Sequence, residues 1–242
     1  MKLAFLGNGR MGSATQARAR AQGYEVGAVL DIQEAGMPLD QVVALLKGHD
    51  AAIDFSVADA VMSHATACAK AGVPLVEGTT GWQGRESEVR GVMDRERGSM
   101  VYGANFSIGV HLFYRLVDRA AELFRGLDTY DAFIEEAHHV LKRDAPSGTA
   151  LELGRRLAAR LGDEVPIAST RAGHIPGVHR VGFDSAEDQI MLVHTARSRE
   201  GFAAGALAAA KWLAAGNHGV HTFAEVLDQI LEVERTERRE RR

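Results

Sequence analysis

The sequence predicts an α/β protein in two parts: a doubly wound parallel sheet at the amino end, then an α+β region with a mixed sheet. Three observations predict it. Up to Asn105, short apolar runs alternate with helical segments. A G-x-G-x-x-G turn joins the first run to the first helix. Beyond Asn105 the rhythm changes to long helices and then to strand-like runs with no helix between them.

In order, strands are expected at "KLAFLG", "EVGAVL", "AAIDFS", "PLVEG" and "SMVYGAN". Helices are expected at "RMGSATQARARAQ", "LDQVVALLKG", "ADAVMSHATACAKAG" and across the polar stretch 83–97. Solid apolar strands between helices imply right-handed βαβ units, covered on both faces. Next come an amphipathic helix, "IGVHLFYRLVDRAAELF", a strand in "YDAFIEEAHH" and a helix starting near Ser147. The strand-like "VHRVGFDS" and "DQIMLVHTARSR" suggest hairpin-type, partly antiparallel pairing. Two helices close the chain, "FAAGALAAAKWLAAG" and "TFAEVLDQILEVE", and Gly216 to Gly219 let it cross back. The expected organisation is therefore a dinucleotide-binding domain over 1–106, a substrate-binding and oligomerisation domain over 107–215, and a returning segment over 216–242.

Composition removes several classes of function. With 242 residues, 46% hydrophobic and 25% charged, the chain has an ordinary globular balance. A net charge of -4 lacks the basic excess of a phosphate-gripping protein, so no nucleic-acid partner is expected. The tail "ERTERRERR" mixes both signs and reads as a solvated helix end. Cys68 is the single cysteine, which excludes an internal disulfide and paired-thiolate zinc, and suits a reducing cytoplasm. The opening "MKLAFLGNGR" reads as a strand and not as a secretory signal, because glycines interrupt it early. No apolar run approaches the roughly 20 residues that cross a bilayer, so no membrane partner is expected.

The glycine turn carries the first site. In "GNGRMG", Gly7 permits a sharp turn, Gly9 lets a pyrophosphate approach the backbone, and Gly12 lets helix and strand pack closely. Asn8, Arg10 and Met11 complete the turn, whose helix NH groups face the anion. Asp31 ends the second strand about 20 residues on, where a carboxylate can accept from both ribose hydroxyls. It would repel a 2'-phosphate, and the next residue is Ile32, not a base. NADH is therefore the expected cofactor, with NADPH possible. Gly78, Thr79 and Thr80 in "EGTTG", and Gly103, Ala104, Asn105 and Phe106 in "YGANFS", lie at later strand ends, where such sheets bind ligands. Phe106 offers a flat surface for a nicotinamide ring.

The second candidate site is "HHVLKRDAPSGTA", residues 138–150. His138 and His139 adjoin on a strand and point to opposite faces, which makes them poor co-ligands. The order Glu-Glu-Ala-His-His is not the His-Glu-x-x-His of zinc proteases, so no metal is expected. Ser147, Gly148 and Thr149 open a helix, with Thr149 and Glu152 at capping-box spacing. Such an end holds a carboxylate or phosphate, Lys142 adds charge, and a histidine beside it can donate a proton. The stretch alone is also compatible with a charged loop ahead of a capped helix.

"EEAHHVLKRDAPSGTA" closely resembles the E-x-H-H-x-x-K-x-D-x-P-S-G-T-A motif of the 4-hydroxy-tetrahydrodipicolinate (dihydrodipicolinate) reductase family of diaminopimelate and lysine biosynthesis. "GNGRMG", "GTTG", "ANFSIGV", "PGVH" and "SREGFAAGALAAAKWL" follow the same family's order, so the resemblance covers nearly the whole chain. It implies a Rossmann-like first domain, hydride transfer from NAD(P)H to a small dicarboxylate heterocycle, His138 as proton donor and Lys142 as its partner. It implies substrate contacts at His139, Ser147, Gly148, Thr149 and Arg199, cofactor contacts at the loops named above, and a homotetramer joined through the second sheet. Val140 stands where the family often has arginine. Two other classes fit the first domain alone: a nucleotide-sensing regulator, which needs no such histidine and lysine, and a relative such as an aspartate dehydrogenase, which should lack the 138–150 stretch.

Overall fold

The computed structural model describes residues 1–31 and 36–240, with the side chains of residue 234 and of residues 237–240 left aside. Ile32 and the last two residues of the charged tail therefore lie outside what is described, as do most of the tail's side chains. The chain divides into two compact units, residues 1–108 with 199–242, and residues 109–198.

In the first unit the strands are β1 (Lys2–Leu6), β2 (Glu25–Leu30), β3 (Ala51–Asp54), β4 (Leu75–Glu77), β5 (Met100–Tyr102) and β10 (Val220–Thr222). They form one sheet in the order β10-β5-β4-β3-β1-β2, parallel throughout. Its helices are α1 (Arg10–Ala21), α2 (Leu39–Leu46), α3 (Val61–Ala71), α4 (Glu86–Arg95), α7 (Glu200–Ala214) and α8 (Phe223–Glu240). Alternating residues of one strand serve two cores, as a doubly covered sheet requires. Leu3 and Phe5 pack with Ala19 of α1 and with α7 and α8. Ala4 and Leu6 pack with Val42, Val61, Cys68 and Met93 on the other side. The chain runs from β1 to β2 and then back past β1 to β3, so the sheet reverses between β1 and β3. That switch opens a crevice at the carboxyl ends.

In the first unit two elements differ from the sequence expectation. The strand β10 was not foreseen, because three residues between Gly219 and a helix carry no readable period. The helix α7, expected within the second domain up to 215, falls in the first unit. Its small residues explain why: a Cβ on Gly205 would lie 1.8 Å from the Phe106 carbonyl oxygen, so only glycine allows this close approach.

The second unit contains α5 (the 108–124 helix, whose first residue belongs to the first unit), β6 (Asp131–His138), α6 (Gly148–Leu161), β7 (Ile167–Arg171), β8 (Val178–Asp184) and β9 (Gln189–Thr195). Its mixed sheet runs β7-β6-β8-β9, with β6 parallel to β7 and antiparallel to β8. The helix α5 buries Val110, Phe113, Tyr114, Val117 and Ala121, the 3.6-residue stripe of one face. That stripe covers Ile134, Val181 and Phe183 of the sheet, and each large side chain so buried contributes roughly 1.5–3 kcal/mol.

Candidate active-site residues in the two units

In the first unit, Met11, Phe55, Ser56, Gly78, Thr79, Thr80, Ala104, Asn105, Phe106, Arg199 and Phe202 line a cleft of about 360 Å³. It gathers the loops that follow β3, β4 and β5 and the starts of α1 and α7. Gly7 (φ +90°) makes the left-handed turn after β1, and a Cβ there would meet the Phe55 carbonyl oxygen at 2.6 Å. A Cβ on Gly12 would lie 2.1 Å from the Gly7 oxygen, whereas one on Gly9 would meet nothing within 4 Å. Gly7 and Gly12 are thus demanded by packing, and Gly9 leaves its approach open. The helix α1 has no side-chain cap and no acid in its first turn. Its amino-terminal NH groups, which have no partner within a helix, suit an anion, so the turn fits a pyrophosphate.

Asn8 takes another part: its Oδ1 accepts from Ser13 Oγ and Gln16 Nε2, both at 3.1 Å, bracing the turn. Arg10 is exposed at the start of α1, and Asp31 is exposed directly after β2. Gly103 adjoins the cleft loop without lining it. Phe106 lines the cleft, but its residue is only 1% exposed and its ring is set between Phe55 and Phe223 in the core. The apolar surface that the cleft presents comes from the half-buried Met11, Phe55 and Phe202, of which the last two were not foreseen. Arg199, expected beside the substrate residues, belongs to this cleft's lining and to the first unit.

In the second unit the strand β6 places Glu136 and His138 on the helix-covered face, two residues apart. Register then brings His179 of β8 opposite Glu136, and Arg171 of β7 opposite His138. Arg171 grips both Glu136 oxygens, at 2.7 and 2.9 Å, and also donates to the Asp144 carbonyl at 2.6 Å. His138 Nδ1 meets Glu136 Oε2 at 2.5 Å. Burial alone would raise the Glu136 carboxyl, but hydrogen bonds from Arg171, Ser169 and His138 outweigh it and lower the pKa to about 2. The His138 imidazole is pushed below its ordinary value, first by burial and then by Lys142 and Arg171, against the pull of Glu136. His179 is lowered further, to about 4, chiefly by burial and next by His138.

Lys142 pairs with Asp144 at 2.8 and 2.9 Å. The helix α6 is capped by Ser147 and not at the Thr149–Glu152 spacing: Ser147 Oγ accepts from Ala150 N at 3.3 Å, while Glu152 pairs with Arg155 and Arg156. Ser147 is 2% exposed, its Oγ also meets His179 Nε2 at 2.9 Å, and its NH donates to Glu136. Its side chain therefore builds the scaffold, and is not open as the ligand contact that was expected. Gly148 is exposed and a Cβ there would meet nothing within 4 Å. Thr149 bonds the Tyr114 hydroxyl, whose pKa burial pushes up to about 12. His139 Nδ1 is buried with no partner among the described residues, an orphan that a polar ligand would satisfy. Gly177 (φ +125°) keeps clear the space beside His138 Nε2, since a Cβ there would come within 3.2 Å of that nitrogen.

Glu136, His138 and His179 each offer a ligand atom within 4.8 Å of the others, a spacing that could hold a metal. Both Glu136 oxygens, however, already accept from Arg171, so a cation there would have to displace a guanidinium. The sequence reading missed Glu136, Arg171 and His179 as parts of the site. The i, i+2 period of β6 was the available signal for Glu136.

Comparison with known proteins bears on both units. The family described as "Dihydrodipicolinate reductase, N-terminus" matches residues 1–106, and "Dihydrodipicolinate reductase, C-terminus" matches residues 109–227. A 4-hydroxy-tetrahydrodipicolinate reductase of Christiangramia forsetii is 35% identical over 242 residues, covering 95% of this chain and 99% of the relative. One from Archaeoglobus fulgidus is 35% identical over 253 residues, covering 91% and 96%. Among solved structures, a dipicolinate-bound dihydrodipicolinate reductase from Paenisporosarcina sp. TG-14 shares the fold, with a TM-score of 0.77, 20% identity, and coverage of 93% of this chain and 99% of that one.

Proposed function

Because the chain belongs to the dihydrodipicolinate reductase family, we propose that its two units divide the reduction of 4-hydroxy-tetrahydrodipicolinate between them: the first holds NAD(P)H, the second the dicarboxylate substrate and the proton donor. The reaction takes up a hydride and one proton and releases water and tetrahydrodipicolinate. Bound in the first unit, the reduced nicotinamide supplies the hydride. Gly7 to Gly12 would hold its pyrophosphate, Asp31 its ribose, and Gly78 to Thr80 with Ala104 to Phe106 the nicotinamide end. The match to both halves of one reductase favours this reading over a nucleotide-sensing regulator or an amino-acid dehydrogenase.

The observation that carries the reading is the chain of charges Arg171, Glu136 and His138. An ionised Glu136 keeps the Nδ1 proton of His138 in place, so the exchangeable proton is the one on Nε2, beside the space that Gly177 leaves. At rest, burial and the cations Lys142 and Arg171 disfavour the imidazolium. A dianionic substrate reverses that balance, because its carboxylates raise the imidazole pKa and load the donor as they bind. Gly148 and Thr149 at the start of α6, with His139, offer NH groups and donors for a carboxylate, and Lys142 adds a full charge. Arg199 is assigned to closing the substrate site.

Asp31 supports a preference for NADH over NADPH, since a carboxylate at the ribose repels a 2'-phosphate. The sheet face of the second unit turned away from α5 and α6 carries Phe133, Ala137, Val178, Met191 and Val193, with an Arg180–Glu135 pair at 3.6 Å. We read it as the surface that joins a homotetramer. Cys68, a free buried thiol, suits a reducing cytoplasm. The test is oxidation of NADH followed by absorbance with freshly prepared substrate. Substrate-dependent loss of NADH is expected, and a preparation that binds NADH but shows no such loss would overturn the assignment.

A further inference from the structure

Two acids stand side by side beneath the first unit's cleft, outside the machinery just described. We propose that Glu77 is kept as a neutral carboxylic acid that donates its proton to Asp54, and that this acid pair positions Ser56 and Thr79 on the cleft wall. Asp54 ends β3 and Glu77 ends β4, and the two are register partners on adjacent parallel strands. Both are 0% exposed. Their side chains lie within hydrogen-bonding reach of each other.

Counting donors decides which acid carries the charge. Asp54 Oδ1 accepts from Ser56 N at 2.8 Å and from Thr79 Oγ1 at 3.4 Å, and Oδ2 meets His64 Nδ1 at 2.6 Å. Glu77 Oε1 accepts from Thr79 N at 2.7 Å, while Oε2 has no donor among the described residues. The groups facing the pair are His64 and Cys68 of α3, Thr79 and Tyr102. Tyr102 is occupied with Glu86 and Arg90. The Cys68 thiol is pushed up chiefly by burial and next by the Asp54 charge. Among the described residues that face the pair, His64 is the one basic side chain, and it sits on Asp54. A second buried carboxylate with an oxygen facing no donor would be strongly disfavoured. A proton on Oε2 removes that charge and supplies the missing bond, and burial followed by the Asp54 charge pushes the Glu77 acid well up.

Thr79 is thereby clamped twice, by its NH to Glu77 and by its hydroxyl to Asp54, and Ser56 once. Both residues line the cleft. Glu77 and Asp54 are positioning residues, and their effect on cofactor binding rests on reading the cleft as the dinucleotide site.

The decisive experiment is infrared difference spectroscopy of cofactor-free wild-type protein against E77Q at neutral pH. The carbonyl stretch of a protonated carboxylic acid is expected in the wild type and absent from E77Q; a wild type without that band overturns the proposal. NADH titration then reads the positioning role: Glu77→Ala should weaken binding about tenfold, and Glu77→Gln, still neutral and able to donate, should restore it to within about twofold. A glutamine no better than alanine overturns the positioning claim. Should the wild type bind no NADH, the cleft reading falls, while the infrared band still decides the acid pair.

Discussion

Arg171 and Glu136 come from strands 35 residues apart in sequence, and their bidentate pairing at 2.7 and 2.9 Å keeps a fully buried carboxylate ionised beside His138. Removing the guanidinium leaves that charge without its main partner. Arg171→Ala should therefore destabilise the second unit by about 3 kcal/mol, and Glu136→Gln should cost less, because the guanidinium it leaves behind is partly exposed and still donates to the Thr170 and Asp144 carbonyls. Urea denaturation of both variants measures the difference.

Turnover should depend on His138 far more than on any group of the first unit's glycine turn. His138→Gln is expected to lower kcat by roughly 10²- to 10⁴-fold with little change in NADH affinity, and Lys142→Ala to do comparable damage. Steady-state rates paired with NADH titration separate the two effects, and an unchanged kcat for His138→Gln would place the proton donor elsewhere.

Acid should destabilise the fold through His179. Its folded pKa is about 4 against about 6.5 unfolded, so the unfolded chain binds the extra proton in between. The contribution is fully present above about pH 6.5 and is lost as pH falls towards 4, about 3 kcal/mol in all. Glu136 adds a loss of the same sign only below about pH 4, as it approaches its own value of about 2. Denaturation midpoints at pH 7.5, 5.5 and 4.5, flags of roughly the start, middle and end of that window, should fall in that order.

Gly9 and Gly12 should part company when each is replaced by alanine. A Cβ on Gly9 meets nothing within 4 Å, whereas one on Gly12 would sit 2.1 Å from the Gly7 oxygen. Gly9→Ala should keep the melting temperature and weaken NADH binding. Gly12→Ala should lower the melting temperature by several degrees, the consequence of about 1–3 kcal/mol of overpacking. Thermal melts with and without NADH distinguish them.

Asp31 should set cofactor choice. The Michaelis constant for NADH is expected to lie below that for NADPH, and Asp31→Ser should narrow the gap by relieving repulsion of the 2'-phosphate. A wild-type preference of about tenfold for NADPH would defeat the argument from Asp31.

Much of this was legible in the chain itself. The five strands ahead of Asn105 and the 108–124 helix fall close to where periodicity puts them, because apolar spacing reports which side of an element is covered. The glycine turn was equally readable, since positive φ at Gly7 and the crowding at Gly12 are properties of a few neighbouring atoms. Local pattern failed at Val220–Thr222, too short to show a period, and at the 200–214 helix, whose small residues announce burial without naming the sheet they cover. It failed in a different way at Ser147, whose residue type suits ligand contact but whose side chain is spent inside the fold.

By itself, then, the sequence determined the kinds of element, the turn that opens the first helix, and the stretch from His138 to Thr149 in which titratable groups gather, because each depends on residues a few positions apart. Only the tertiary structure decided that Glu136 rather than Lys142 contacts the His138 ring, that Arg171 keeps Glu136 charged, and that Glu77 faces Asp54. Those pairings depend on strand register, which is set by the packing of whole sheets and brings together side chains that no local spacing connects.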